Sequence, residues 1–231
     1  TMIAPTIVFD LDGTLAETAP DIMATLNVIL QQQGLAALPL DKARVLVGAG
    51  AKALIERGFS VSGVALGPDK LETLFQEFLD IYAGRVVEDS HLFDGGVAAL
   101  DKLSSRGMKL AVCTNKPIRH TMLMLDAFGI TQKFAVIAGR DTFPMCKPDP
   151  RHLTLTIAAA GGDIGQAIMV GDSLTDIATA KAAHVPVIAV PLGYTDVPVE
   201  TLNPDMVIPH FDALENAIDR LLGMPAKMAS A

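Results

Sequence analysis

The sequence predicts an α/β fold: a parallel sheet with helices on both faces, plus an all-helical domain inserted after the first strand. Three observations carry this. From residue 94 onward, short apolar strands alternate with helical stretches, the pattern of βαβ units. Residues 16 to 90 break that rhythm and show only helical periodicity. Half of the 231 residues are hydrophobic, enough for a sizeable core.

The elements follow in order. TIVFD is the first strand. PDIMATLNVILQQQG puts Ile22, Leu26, Ile29 and Leu30 on one face, with Pro20 at its start and Gly34 at its end, so it is a helix. Helical fragments are expected over 42–47 and 51–59, with a glycine-rich break at Gly48 and Gly50. PDKLETLFQEFLDIYAG repeats the helical spacing through Leu71, Leu74, Phe75, Phe78 and Tyr82. Then DGGVAALDKLSSRG (helix) leads into MKLAVCTN (strand), and PIRHTMLMLDAFG (helix) into FAVIAG (strand). DPRHLTLTIAAAG (helix) precedes AIMVGD (strand), and SLTDIATAKAAH (helix) precedes VPVIAV (strand). The expected division is a core of 1–15 and 91–231 and a helical cap of 16–90. The tail MPAKMASA is expected to fray.

Charge and composition narrow the function. The net charge of -8 opposes a nucleic-acid backbone as partner. Two cysteines, Cys113 and Cys146, do not make a disulfide framework and point to a reducing compartment. Apolar runs are short, and the first residues show no basic segment followed by an apolar one. The expectation is a cytoplasmic protein with a small-molecule partner, bound to neither membrane nor nucleic acid. Oligomeric state leaves no mark in the sequence.

In open α/β sheets, ligands bind beyond the carboxyl ends of the strands. The first strand runs into Asp10 and Asp12, and the second core strand ends in Thr114 and Asn115. Lys147 opens KPDP after FAVIAG, and AIMVG leads to Asp172 and Ser173, with Asp176 one turn on. Taken singly, each has a bland reading: Asp172 as a helix cap, Lys147 as a solvated cation, Thr114 as a strand end. Turn chemistry does not require every strand end to be polar and complementary, so the set is read together. Paired carboxylates at a strand end are costly without a cation. Clustered acids with a lysine suit Mg2+, which takes oxygen ligands and binds substrate phosphate. No Cys/His cluster suggests zinc and no GxxxxGK[ST] suggests a P-loop.

DLDGT after a strand, a strand ending in TN, then KPDP and GDSLTDI, in that order, resemble the haloacid dehalogenase superfamily in its phosphatase branch. APDI, VGAGAKALIERGF, TNKP and PLGY further resemble the phosphoglycolate phosphatases within it. The resemblance covers essentially the whole chain and implies a Rossmann-like core with an inserted helical cap. It implies Asp10 as nucleophile, forming an aspartyl-phosphate, and Asp12 as general acid and base. Thr114 and Asn115 would hold the phosphoryl oxygens, and Lys147 would offset the charge of nucleophile and phosphate. Mg2+ would sit on the Asp10 carboxylate, the Asp12 carbonyl and Asp172, with Asp176 ligating directly or behind them. The substrate expected is a small phosphorylated metabolite such as 2-phosphoglycolate. A cap loop over 48–52, where glycines admit close backbone approach, is expected to face the site, and Lys52 or Arg57 either meets the substrate carboxylate or is a solvated helix charge.

Departures from the pattern are HLFDGGV, without the usual proline, expected to change only a helix start, and His184 and Arg140, each where glycine is common. Arg140 is expected to face solvent, and both cysteines to be packing thiols. Asp12 argues against a dehalogenase. A sugar phosphomutase with the same cap shares these core residues. A phospho-accepting receiver shares the chemistry but has no inserted cap.

Overall fold

The computed structural model describes residues 4–42, 46–47 and 50–224. Six parallel strands form the sheet: β1 (Thr6–Phe9), β4 (Lys109–Cys113), β5 (Val136–Ala138), β6 (Ala167–Gly171), β7 (Val187–Ala189) and β8 (Met206–Val207). Their order is β5-β4-β1-β6-β7-β8, so β1 is central, with Phe9 level with Val112 on one side and Val170 on the other.

Alternation along each strand feeds two separate cores. Ile7, Phe9, Leu110, Val112, Ile168 and Val170 face one; Val8, Ala111, Cys113, Ala167 and Met169 face the other. Helices α4 (Gly96–Ser105), α5 (Ile118–Ala127) and α8 (Leu214–Leu222) close the first face through Leu100, Leu103, Met124, Leu125 and Ile218. Helices α6 (Pro150–Ala159) and α7 (Leu174–Ala182) close the second through Leu153, Ile157, Ile177 and Ala180. Strand β8 and helix α8 extend the alternation past VPVIAV, where the sequence reading had stopped.

Between the first strand and the rest of the core lie α1 (Ala19–Gln32), α2 (Ala51–Val61) and α3 (Pro68–Ala83). Leu26, Ile29, Leu30, Leu54, Ile55, Phe59, Leu74 and Phe78 pack them together, each at most 2% exposed. Asn27 fixes the chain after α1 by donating to the Leu38 carbonyl (2.9 Å) and accepting from its N–H (2.8 Å).

The expected boundaries at residues 16 and 91 fall on the two linkers between these helices and the sheet. Strands β2 (Ala16–Glu17) and β3 (His91–Leu92) pair antiparallel, so both linkers form one ribbon. Two residues per strand are too few to show alternation in a sequence. Asp21, fully buried at the start of α1, reinforces the ribbon. Its Oδ2 accepts from the N–H groups of Asp89 (2.9 Å) and Ser90 (2.8 Å) and from the Ser90 hydroxyl (2.6 Å), while Arg85 meets Oδ1 at 3.3 Å. His184, at φ 55°, takes the left-handed turn that ends α7, a conformation that favours glycine. Gly48, part of the 42–47 segment and the tail beyond Met224 lie outside the described residues.

Candidate active site

The site grows from the ends of β1, β4 and β6. The Asp10 N–H continues the ladder to the Val170 carbonyl at 3.0 Å, so Asp10 leaves the sheet beside Asp172. Gly13, at φ 80°, then turns the chain back over the sheet. A Cβ there would come 2.5 Å from the Asp172 Oδ2, so turn and carboxylate are fitted to each other.

Every oxygen of Asp172 and Asp176 is held. Asp172 Oδ1 accepts from the Thr14 hydroxyl at 2.8 Å and Oδ2 from the Tyr194 N–H at 3.1 Å. Asp176 Oδ2 accepts from the N–H groups of Asp172 and Ser173, both at 3.1 Å, and from the Ser173 hydroxyl at 2.9 Å, a capping box at the start of α7. Its Oδ1 accepts from Lys147 Nζ at 2.6 Å, and the same ammonium lies 3.1 Å from Asp10 Oδ1. Gly193 leaves room for this: a Cβ on it would fall 1.7 Å from Asp172 Oδ2.

Oxygens of Asp10, Asp172 and Asp176, all buried, lie within 4.8 Å of one another. Against one Lys147, three carboxylates leave two negative charges uncompensated. Burial, with Asp176 behind it and Lys147 only partly opposing, pushes Asp10 up to about 7. Burial and its two acidic neighbours hold Asp172 well above the carboxylate range. Lys147 is pulled down by burial, but Asp10 and Asp176 outweigh that and keep the ammonium. A hard dication fits this donor set, which is all oxygen and short of two positive charges.

The lysine is positioned by its own loop. Asn115 Nδ2 donates to the Lys147 carbonyl at 2.8 Å, and His152 Nδ1 accepts the Lys147 N–H at 3.1 Å. His152 Nε2 lies 3.1 Å from the Gly139 carbonyl, so the ring is neutral with its proton on Nε2. Burial, followed by the Lys147 charge, lowers His152 to about 4. Thus one amide proton of Asn115 braces the lysine loop. Thr114, 1% exposed, accepts from the Lys116 N–H at 3.1 Å and keeps its own hydroxyl proton for a ligand.

Asp12 turns away from the carboxylate trio. Its Oδ1 meets Lys116 Nζ at 2.9 Å, and Lys116 also donates to the Tyr82 hydroxyl at 2.7 Å and lies over that ring, 4.4 Å from its centroid. Lys116 is 7% exposed; burial works against its charge, but Asp12 and then Tyr82 raise it above its usual value. Sequence reasoning missed this second lysine, although TNKP contained the signal.

The cap loop fares differently. Lys52 pairs with Glu72 and lies over the Phe75 ring, and it does not line the cavity, so its expected place against a ligand is corrected. Arg57 is exposed and likewise absent from the lining. Arg140 is exposed, as expected, yet stands at the cavity rim close to Gly50. Cys113 is a buried packing thiol, which burial pushes up to about 12, whereas Cys146 is half-buried and lines the cavity.

These groups floor a cavity of about 350 Å³ between core and cap. Asp10, Asp12, Thr114, Asn115, Lys147 and Asp172 lie on the core side, while Ile22, Val47, Leu54, Phe78, Leu79 and Tyr82 form the opposite wall. Tyr194, another residue that sequence reasoning left without a role, joins the site to the cap entry. Its hydroxyl accepts from the N–H groups of Thr18 (2.8 Å) and Ala19 (2.9 Å) and donates to Glu17. Among the described residues, no helix is long and apolar enough to cross a membrane.

Comparisons with known proteins agree in outline. The family model for haloacid dehalogenase-like hydrolases matches residues 7–190. A phosphoglycolate phosphatase of Caulobacter vibrioides is 45% identical over 96% of this chain and 94% of its own. One of Mesorhizobium japonicum is 46% identical over 92% and 94%. A crystal structure from Haemophilus somnus, described as a predicted phosphoglycolate phosphatase, superposes with a TM-score of 0.86 at 29% identity, covering 93% of this chain and 97% of that one.

Proposed function

The chain belongs to the haloacid dehalogenase-like hydrolases, and from that premise we propose that it is a Mg2+-dependent phosphatase. It works through an aspartyl-phosphate on Asp10, with 2-phosphoglycolate as substrate. The observation that supports this most is the convergence of Asp10, Asp172 and Lys147 at the floor of one cavity, with Asp176 buried behind them, the set short of two positive charges. The relatives named phosphoglycolate phosphatases support the choice of substrate.

Asp10, Asp172, Asp176 and the Asp12 carbonyl would hold the metal. When bound, Mg2+ would neutralise phosphate and carboxylate charge and keep Asp10 ionised. An Asp10 oxygen attacks phosphorus, and the bond to the ester oxygen breaks. Asp12 gives that oxygen its proton and then takes one from the water that attacks the aspartyl-phosphate. Thr114 donates to a phosphoryl oxygen, and Lys147 holds Asp10 in line. Phosphate monoester hydrolysis demands accelerations of up to ~10^21-fold, so fixed charge and position carry much of the rate.

The test is inorganic phosphate release from 2-phosphoglycolate, sugar phosphates and nucleotides, with Mg2+ and with EDTA. Acid quenching in the first turnover, followed by peptide mapping, should find phosphate on Asp10. Activity that survives EDTA, or label on another residue, would overturn the mechanism. Phosphate returned to a sugar rather than released would mark a mutase.

A further inference from the structure

We propose that Lys116, together with Tyr82 of the cap, reads the carboxylate of the substrate's leaving group and is the specificity-determining pair for phosphorylated 2-hydroxy acids. This rests on the phosphatase reading above and assigns the task expected of Lys52.

The argument begins with donors. An ammonium has three protons, and Lys116 gives one to Asp12 and one to Tyr82. The third finds no acceptor among the described residues. Tyr82 accepts from Lys116, and its own hydroxyl proton likewise finds no acceptor among the described residues. Two unpaired donors, 2.7 Å apart at their heavy atoms and both on the cavity lining, match the two oxygens of a carboxylate.

Their place fits the substrate. Asp12 must touch the ester oxygen to protonate it. A cation 2.9 Å from Asp12 Oδ1 therefore lies within about 5–6 Å of that oxygen, allowing one further hydrogen-bond length. In a phosphorylated 2-hydroxy acid the carboxyl carbon is two bonds from the ester oxygen, so its oxygens reach into this interval. The other cations on the lining are placed differently. Lys147 is committed to Asp10 and Asp176, and Arg140 stands exposed at the rim. The neighbours Ile22, Leu54, Phe78 and Leu79 offer side chains without hydrogen-bonding groups. Tyr82 is on α3 and Lys116 follows β4, so a bound carboxylate also ties cap to core.

The readout is a ratio: kcat/KM for 2-phosphoglycolate divided by that for 2-hydroxyethyl phosphate, the same ester with the carboxylate replaced by an alcohol. Lys116→Met also strips Asp12 of its partner, so both esters should slow. The ratio should fall a further ~10- to 100-fold, the loss expected for a charge-assisted hydrogen bond. An unchanged ratio would mean that Lys116 serves only Asp12, and would overturn the proposal. Tyr82→Phe keeps the ring over the ammonium and serves if Lys116→Met does not fold. Its ratio should drop about threefold or more, and no drop counts against the pair. Failure of the underlying reading is visible separately: wild-type enzyme would release no phosphate from either ester, or would show no preference for the carboxylate.

Discussion

The two walls of the cavity are built on opposite plans. On the core side, short polar side chains stand at rigid strand ends, and each oxygen of Asp172 and Asp176 has a named partner. On the cap side, Ile22, Val47, Leu54, Phe78 and Leu79 supply shape, and Tyr82 supplies a hydroxyl. A phosphoryl group is common to every substrate of such a site and rewards fixed donors. Leaving groups vary, and an apolar wall on the inserted helices adapts to them at little cost to the chemistry. The difference separates reaction from recognition, and it breaks if core and cap substitutions have the same effect.

The largest effect should come from Asp10→Asn, which removes the proposed nucleophile while nearly keeping its shape. Turnover should fall at least ~10^4-fold, with far-UV circular dichroism and thermal melting little changed. Substantial Mg2+-dependent phosphate release by this variant would remove Asp10 from its role.

Phe78→Ala probes the other wall. Phe78 is 1% exposed, and its ring centroid lies 5.7 Å from that of Tyr82. Truncation should cost about 3–5 kcal/mol of stability by leaving a cavity among the cap helices. Hydrolysis of an aryl phosphate, whose leaving group needs little recognition, should stay within about tenfold below the new melting temperature. A loss comparable to that of Asp10→Asn would show that cap and core are not separable.

Gly193→Ala returns to the core without replacing a charged residue. Its Cβ would fall 1.7 Å from Asp172 Oδ2, so the carboxylate must move. Half-saturation by Mg2+, read from phosphate release, should rise about 10- to 100-fold, the range for disturbing the support of a ligand. An unchanged Mg2+ requirement would mean that the Asp172 position does not matter to the metal.

What the sequence disclosed follows the same division. Asp10, Thr114 and Asp172 were legible because each directly follows an apolar strand, and Lys147 because it opens KPDP ahead of a helix, signals that are local in the chain. Lys116 was not, because its role depends on Asp12 and Tyr82, residues 104 and 34 positions away. Lys52 misled for a related reason. Glycines beside it marked a loop near the site, but helix geometry turned it to Glu72 and Phe75 on the cap surface. The ribbon of β2 and β3 was hidden by its brevity, and the Asp21 clasp by the distance between APDI and Ser90.

The smallest effect concerns pH, and it sets the floor of the site against itself. Asp10 is raised to about 7 from an unfolded value near 3.8, so the folded state holds its proton more tightly. Between those values the folded protein binds more protons than the unfolded chain, and stability contributed by Asp10 falls as pH rises from about 4 to 7. His152 runs the other way. Lowered to about 4 from 6.5, it contributes stability that is complete above about 6.5 and is lost as pH falls towards 4. Asp172, also held well above the carboxylate range, adds a slope of the same sign as that of Asp10, so in EDTA the two acids outweigh His152 and the melting temperature should fall as pH rises over this window. Mg2+ would hold Asp10 and Asp172 ionised and remove their slopes, so with Mg2+ the His152 slope should emerge, worth about 1–2 kcal/mol across the window. His152→Gln cannot titrate, and in Mg2+ its melting temperature should be flatter between pH 4.5 and 6.5 than that of the wild type. In EDTA the same variant should lose stability more steeply as pH rises than the wild type, exposing the combined slope of Asp10 and Asp172. Parallel curves for wild type and His152→Gln under both conditions would show that the neutral ring beneath Lys147 contributes nothing to the balance.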